Sequence, residues 1–155
     1  MQKPGENSFV RICGIGSYLP ERIVTNRDLE ETLDTTDEWI FSHTGIRERR
    51  ICFPDESASS MGIIAARRAL EDSGVSADEL CLVLASSSTG DYVSYPATAA
   101  LIQNGIGAVN AGACDISAAC TGFCYSIALG RSYCLLHRRP VLIVSTEVNS
   151  RMVDW

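Results

Sequence analysis

From Leu80 onward the chain alternates short apolar runs with stretches of helical spacing, and that rhythm leaves few folds open. Leu80 to Ala85 is a continuous apolar run, Pro96 to Asn104 reads as a helix ended by Gly105, Ala111 to Ile116 as a strand, Cys120 to His137 as a long helix, and Pro140 to Ser145 as another strand. Apolar strands without polar alternation, joined by helices, predict a parallel sheet covered on both faces. The fold class expected is α/β, a layered and mostly parallel sheet covered by helices. Ligands of such sheets gather where the carboxyl ends of strands meet helix starts.

One thiol stands at such a junction. In the run Cys114-Asp-Ile-Ser-Ala-Ala-Cys120-Thr-Gly-Phe123, a strand is expected to end just before Cys120 and the long helix to begin at it. The first turn of a helix presents unpaired N–H groups and the positive end of a dipole, which stabilise a thiolate and lower its pKa. Phe123, Tyr125, Ile127, Ala128, Leu129, Tyr133, Leu135 and Leu136 place apolar residues all round that helix, the pattern of a buried one. Cys120 is therefore expected inside the protein, on the floor of a pocket. Ala118, Ala119 and Gly122 leave the backbone beside it bare, which suits close approach of a substrate. The other six cysteines are expected to pack as small hydrophobes.

The amino-terminal half is read from its caps and turns. Phe9 to Ile15 is expected as a short strand closing on Gly14 and Gly16, before a Leu19-Pro20 turn. Thr25 or Asn26 can cap a first helix running through Leu33, and Thr36 a second that Gly45 stops. A strand-like piece from Ile46 to Cys52 follows. Ser57 then caps a longer helix carrying Met61, Ile64, Ala65 and Leu70, with Gly74 just past its end.

Length and composition exclude several roles. At 155 residues, with 46% hydrophobic and 21% charged side chains, the chain is one globular domain by length. A formal charge of -6 and a pI near 4.8, with no Lys/Arg cluster beyond the interrupted Arg47-Glu-Arg49-Arg50, argue against a nucleic-acid partner. No apolar run is long enough for a bilayer, and Met1 to Ser8 lacks the apolar stretch of a secretory signal, so no membrane partner and a cytosolic location are expected. Seven cysteines without any Cys-x-x-Cys spacing, and only His43 and His137 as histidines, predict neither a disulfide framework nor a metal site. The chain closes at Met152-Val-Asp-Trp155, soon after an apolar strand, and the natural domain is expected to continue further.

Four segments in order carry a family resemblance: Gly14-Ile-Gly-Ser-Tyr-Leu-Pro20, Thr35-Thr-Asp-Glu-Trp39-Ile, Thr44-Gly-Ile-Arg47-Glu-Arg49 and the Cys120 run. Together they make the chain, from about Phe9 to Ser150, similar to the β-ketoacyl-acyl-carrier-protein synthase III family. The resemblance implies a thiolase-like fold of two related halves, with residues 1–155 as the amino-terminal, thiol-bearing half. It implies an acyltransferase that initiates fatty acid synthesis. Cys120 would take an acyl group from acyl-coenzyme A, a substrate rather than a cofactor, and malonyl on acyl carrier protein would lose carbon dioxide and attack that thioester. The backbone N–H of Cys120 would form half of the oxyanion hole.

The same resemblance places Trp39 against the coenzyme's adenine and Thr35 at a neighbouring coenzyme contact. Taken alone, Trp39 reads as an amphipathic surface anchor. Tyr95 falls where the family has a bulky residue that crosses a homodimer interface and limits the acyl pocket, which implies a short acyl primer; taken alone it is a turn aromatic before a helix-starting proline. His43 stands where the family commonly has an arginine on the coenzyme. The histidine and asparagine of decarboxylation belong to the family's second half. His137, seventeen residues beyond Cys120 on one helix, is roughly 25 Å away at about 1.5 Å per residue and is no substitute. None of Asn7, Asn26, Asn104, Asn110 and Asn149 matches the catalytic asparagine. The chain alone is expected to transfer an acyl group without condensing it. The alternatives are another thiolase-like enzyme, of the polyketide-starter or hydroxymethylglutaryl-coenzyme A synthase type, or a non-catalytic half that completes its sheet with a carboxy-terminal partner.

Overall fold

A computed structural model describes residues 9–153, which fall into two compact units. The first comprises Ala58–Glu147 with the described part of Met1–Tyr18, and the second Leu19–Ser57 with the described part of Val148–Trp155.

The first unit is built on three parallel strands: β3 (Leu82–Ser86) in the centre, β4 (Gly112–Ile116) on one side and β5 (Val141–Ser145) on the other. Leu82 is level with both Gly112 and Val141, and Ser86 with both Ile116 and Ser145, so the three strands end at one line. Their side chains alternate between faces. Leu142 and Val144 join Val83 and Ala85 in a core with Ala66 of α3 (Ala58–Ser73) and Ala99 and Ile102 of α4 (Thr98–Gly105). Val141 and Ile143 point the opposite way and meet α5 (Gly122–His137) at Gly130. The expected sheet with helices on both faces is present, and each expected strand and helix from Leu80 onward falls within two residues of its place.

Two expectations for this unit fail. Residues 9–15 form no strand. An added Cβ at Gly16 would lie 2.2 Å from the Ala65 carbonyl oxygen, so the segment lies with its backbone directly against α3. Its polar groups are taken by side chains of that helix: Ile15 N–H donates to Asp72 Oδ2 at 2.9 Å, and Arg68 Nη1 donates to Ser17 O at 2.6 Å. Phe9, Ile12 and Ile15 are left exposed, so the apolar run reflected no sheet partner. The second failure concerns α5, whose buried residues are Gly122, Ser126 and Gly130, four apart on one stripe. Phe123, Tyr125, Ile127, Leu129 and Leu136 are exposed among the described residues. The helix rests on the sheet through its smallest side chains, and the apolar residues that suggested burial lie on its flanks.

The second unit pairs β1 (Arg22–Thr25) with β2 (Glu48–Ile51) in antiparallel register and sets beside them α1 (Asn26–Glu30) and α2 (Asp37–Thr44). Thr25 caps α1 in a reciprocal box with Asp28, whose carboxyl is held below its usual range by hydrogen bonds from the Thr25 hydroxyl and N–H. The Thr36 hydroxyl accepts from Trp39 N–H at 3.1 Å, and Gly45, with φ 71°, ends α2 as expected. Helix α1 stops at Glu30 rather than reaching Leu33, and β1 had no counterpart in the sequence reading.

This unit is held by a polar centre. Asn26 is 1% exposed, and every group it offers is used. Its Nδ2 donates to Asp37 Oδ1 and to Ile46 O, both at 2.7 Å. Its Oδ1 accepts from Arg49 Nη2 at 2.8 Å, and its backbone N–H reaches Arg47 O at 3.0 Å.

Candidate active site

Strand β4 hands over to α5 through a tight turn that presents Cys120. Ala119 adopts φ 45°, the left-handed region that costs a non-glycine residue roughly 1–2 kcal/mol. Such positions cluster at functional sites. A single 3₁₀ turn over Ala119–Thr121 follows, closed by Thr121 N–H and Oγ1 donating to Ala118 O at 3.1 and 2.8 Å. Cys120 is the middle residue of that turn, two before α5. The helix is rooted by Gly122, where an added Cβ would stand 2.0 Å from Ser86 Oγ and 3.6 Å from Ile116 O. Only glycine brings the start of α5 this close to the ends of β3 and β4.

Cys120 is exposed, which corrects the expected burial on a pocket floor. With α5 seated through its small-residue stripe, the turn preceding it stands at the surface of the described residues. Cys124, one turn on, is exposed too, as are Cys13 and Cys114; Cys81 is buried and Cys52 and Cys134 are half-buried. Packing therefore accounts for fewer of the other six cysteines than expected. All seven are free thiols, and among the described residues no three His, Cys, Asp or Glu side chains converge as a metal site would require.

The three helices of this unit differ at their amino ends. Asp91 accepts from Ser59 N–H at 2.9 Å and from the Ser59 hydroxyl, satisfying the start of α3. Asp115 of β4 accepts from Thr98 N–H at 2.8 Å and Ala99 N–H at 2.7 Å at the start of α4, where the N-cap residue Ala97 has no side-chain bond to give. No side chain caps α5 or the turn that precedes it. The amino end carrying Cys120 keeps its dipole unneutralised by any carboxylate cap, an arrangement that favours an anion. Tyr95 is also in this unit, on the loop after β3, and is 84% exposed beside exposed Tyr92 and Val93. Cys120 and Tyr95 thus both follow the carboxyl ends of strands in one sheet.

Thr35, Trp39 and His43 belong to the second unit. Trp39 and His43, one turn apart on α2, are exposed and stacked, with ring centroids 4.5 Å apart and planes 25° from parallel. His43 Nδ1 lies 2.8 Å from Trp39 O and 3.1 Å from Ser42 Oγ, which fixes the imidazole over one face of the indole. Thr35 differs: its hydroxyl oxygen is enclosed and has no hydrogen-bond partner among the described residues. Sequence reasoning missed the role of Asp37 and Arg49. Both lie inside the segments that carried the resemblance, and both bond Asn26. The available signal was a lone asparagine directly after a helix-capping threonine.

Sequence and structure comparisons agree. The family model for 3-oxoacyl-[acyl-carrier-protein] synthase III matches residues 114–155. A β-ketoacyl-[acyl-carrier-protein] synthase III of Xanthomonas axonopodis pv. citri is 43% identical over 148 residues, covering 95% of this chain and 45% of the relative. The corresponding protein of Methylococcus capsulatus is 45% identical, covering 95% and 46%. Among solved structures, the synthase III of Aquifex aeolicus superposes with a TM-score of 0.87 at 41% identity, over 93% of this chain and 46% of that one. The priming β-ketosynthase of the R1128 polyketide pathway superposes at 0.88 with 42% identity, over 93% and 43%. The chain spans about half the length of the curated relatives it matches. By its motifs, its sheet with helices on both faces and this similarity over nearly all of its own length, the chain belongs to the β-ketoacyl-acyl-carrier-protein synthase III family, with its thiolase-like fold.

Proposed function

We propose that this chain is the thiol-bearing half of a synthase that starts acyl chains, with Cys120 as the residue that carries the acyl group. The observation that carries the reading is the position of Cys120: exposed, behind the left-handed Ala119, at the one α-helix start of its unit that, among the described residues, no side chain caps. The Cys120 thiolate attacks the thioester carbonyl of acyl-coenzyme A, its backbone N–H bears on the developing oxyanion, and the coenzyme leaves as a thiolate that takes up a proton. Trp39 offers an indole face for the adenine; because His43 covers one face, the base stacks on the other. Thr35, with its hydroxyl enclosed, contributes to the coenzyme side through its backbone. Tyr95 limits the length of the acyl group.

Condensation with malonyl-acyl carrier protein needs a histidine and an asparagine that this chain does not supply, so the reaction of residues 1–155 stops at the acyl-cysteine. Pairing with a carboxy-terminal half that brings both groups would complete it, whereas a second copy of residues 1–155 would not. The reading places the protein in the cytosol; among the described residues no helix is long and apolar enough to cross a membrane. The similarity to a polyketide priming enzyme, as high as that to the fatty-acid enzymes, supports a second reading with the same thiol chemistry and a different acceptor carrier protein.

Mass spectrometry after incubation with acetyl-coenzyme A tests the proposal. The expected result is one acetyl group on Cys120, lost in Cys120→Ala, and slowed in Trp39→Ala with little effect when a short acetyl-thioester replaces the coenzyme. Acetylation spread evenly over the seven thiols would overturn it.

A further inference from the structure

The carboxylate of Glu147, directly after β5 and its neighbour Thr146, is occupied entirely by the loop that follows β3. Oε1 accepts from Ser88 N–H at 2.8 Å, and Oε2 accepts from the Thr89 hydroxyl at 2.5 Å. The root of this fork is fixed. Thr146 is buried, its N–H donates to Ser86 O at 3.1 Å, and its hydroxyl donates to Ala58 O at 2.7 Å. Two other carboxylates hold the same loop further along: Asp91 is tied to Ser59, and Asp115 grips Thr98 and Ala99 where the loop becomes α4.

Asp91 and Asp115 satisfy helix amides, so the stability of α3 and α4 accounts for them. Glu147 does neither of these things. It caps no helix, it is exposed, and it stands outside the apolar core. Hydrogen bonds made by an exposed charge add little to global stability. What the fork does is geometric: it sets Ser88 and Thr89, near the start of a loop whose middle, Tyr92 to Tyr95, carries three exposed large side chains.

We infer that Glu147 is a positioning residue: by holding Ser88 and Thr89 to the end of β5 it sets the reach of Tyr95, and through it the length of acyl group that the site accepts. The inference deepens the functional reading above and rests on it. Its geometric half concerns a loop and its acyl half concerns a preference, and the two are measured separately.

The test uses the full chain as wild type, Glu147→Ala, Glu147→Gln and Thr89→Val, with hydrogen exchange by mass spectrometry and competition between acetyl-coenzyme A and hexanoyl-coenzyme A for Cys120. Loss of both charge-assisted bonds in Glu147→Ala is expected to speed exchange over residues 88–95 about tenfold while β3, α4 and α5 keep their protection. The hexanoyl-to-acetyl labelling ratio is expected to change severalfold in the same variant, with the acetyl rate nearly unchanged. Glu147→Gln, which keeps one acceptor oxygen, and Thr89→Val, which leaves the carboxylate and deletes one donor, fall between; Thr89→Val carries the test should Glu147→Ala unfold. Unchanged exchange in the loop overturns the tether. Faster exchange with an unchanged labelling ratio leaves Glu147 a purely structural tie and overturns the positioning role. A wild-type chain that labels with neither thioester defeats the functional reading and the acyl role together, a result the exchange data distinguish from a failed tether.

Discussion

Ile102 and Asn26 are both almost wholly enclosed, at 0% and 1% exposure, yet they hold their units together by different means. Ile102 sits in a layer of aliphatic side chains between α4 and the parallel sheet, where what matters is volume and fit. Asn26 sits among two helices and an antiparallel strand pair, where what matters is that two donors and an acceptor each meet a partner. An aliphatic layer degrades gradually as methyl groups are removed. A polar centre fails more abruptly when its enclosed member goes, because the half-buried Asp37 and Arg49 lose the partner that joins them. The unit bearing Cys120 is therefore expected to absorb conservative change, and the unit bearing Trp39 to resist it.

The largest effect that could break this comparison is at Ile102. Ile102→Ala is expected to cost about 2–5 kcal/mol and Ile102→Val about 1 kcal/mol, read as a shifted urea midpoint. Equal losses for the two would refute a volume-governed core. Next comes Asn26→Ala, expected to cost about 3 kcal/mol by stranding Asp37, Ile46 O and Arg49. Asn26→Leu should do no better despite its apolar bulk, and hydrogen exchange should show protection lost in residues 22–51 and kept in 82–86. Should Asn26→Leu match the wild type, the centre is ordinary packing and the contrast disappears.

The smallest effect sharpens the aliphatic side. Burial, first of all, pushes the thiols of Cys81 and Cys134 above the ordinary range, and for Cys81 the neighbouring Cys134 adds to this while Arg139 opposes it. A thiol whose folded pKa is raised binds its proton longer when folded. Its contribution is full below the unfolded thiol pKa and is lost as pH rises through the folded one. Stability of the first unit should thus fall on the alkaline side, and Cys134→Ala should flatten that fall in denaturant titrations.

Caps and strand runs were legible in the sequence because they are local. Thr36, Gly45 and Gly74 act where they stand, and the runs at Leu82, Gly112 and Val141 need only their neighbours in a sheet. The strand expected at residues 9–15 failed because Gly14 and Gly16 lie against α3, a partner about fifty residues away that no local pattern announces. The all-round apolar pattern of α5 reads as burial, but the sheet accepts only the Gly122, Ser126, Gly130 stripe. For the site, the strand-to-helix junction at Cys120 was legible, while its exposure and the left-handed Ala119 were not, since nothing about an alanine signals a positive φ. The Asn26 centre was hidden for the same reason as the Gly16 contact: its partners are distant in the chain.

Asp115 gives the parallel sheet a means of rejecting misalignment. It faces α4 because its position in β4 shares the face of Ala85, its neighbour across the ladder. Sliding β4 by one residue would turn that carboxylate to the opposite face and leave the Thr98 and Ala99 amides bare. A slipped ladder would still pair its backbone, so pairing alone is a poor judge of alignment. One negative charge, able to satisfy a helix start in a single frame, makes the wrong frames electrostatically expensive.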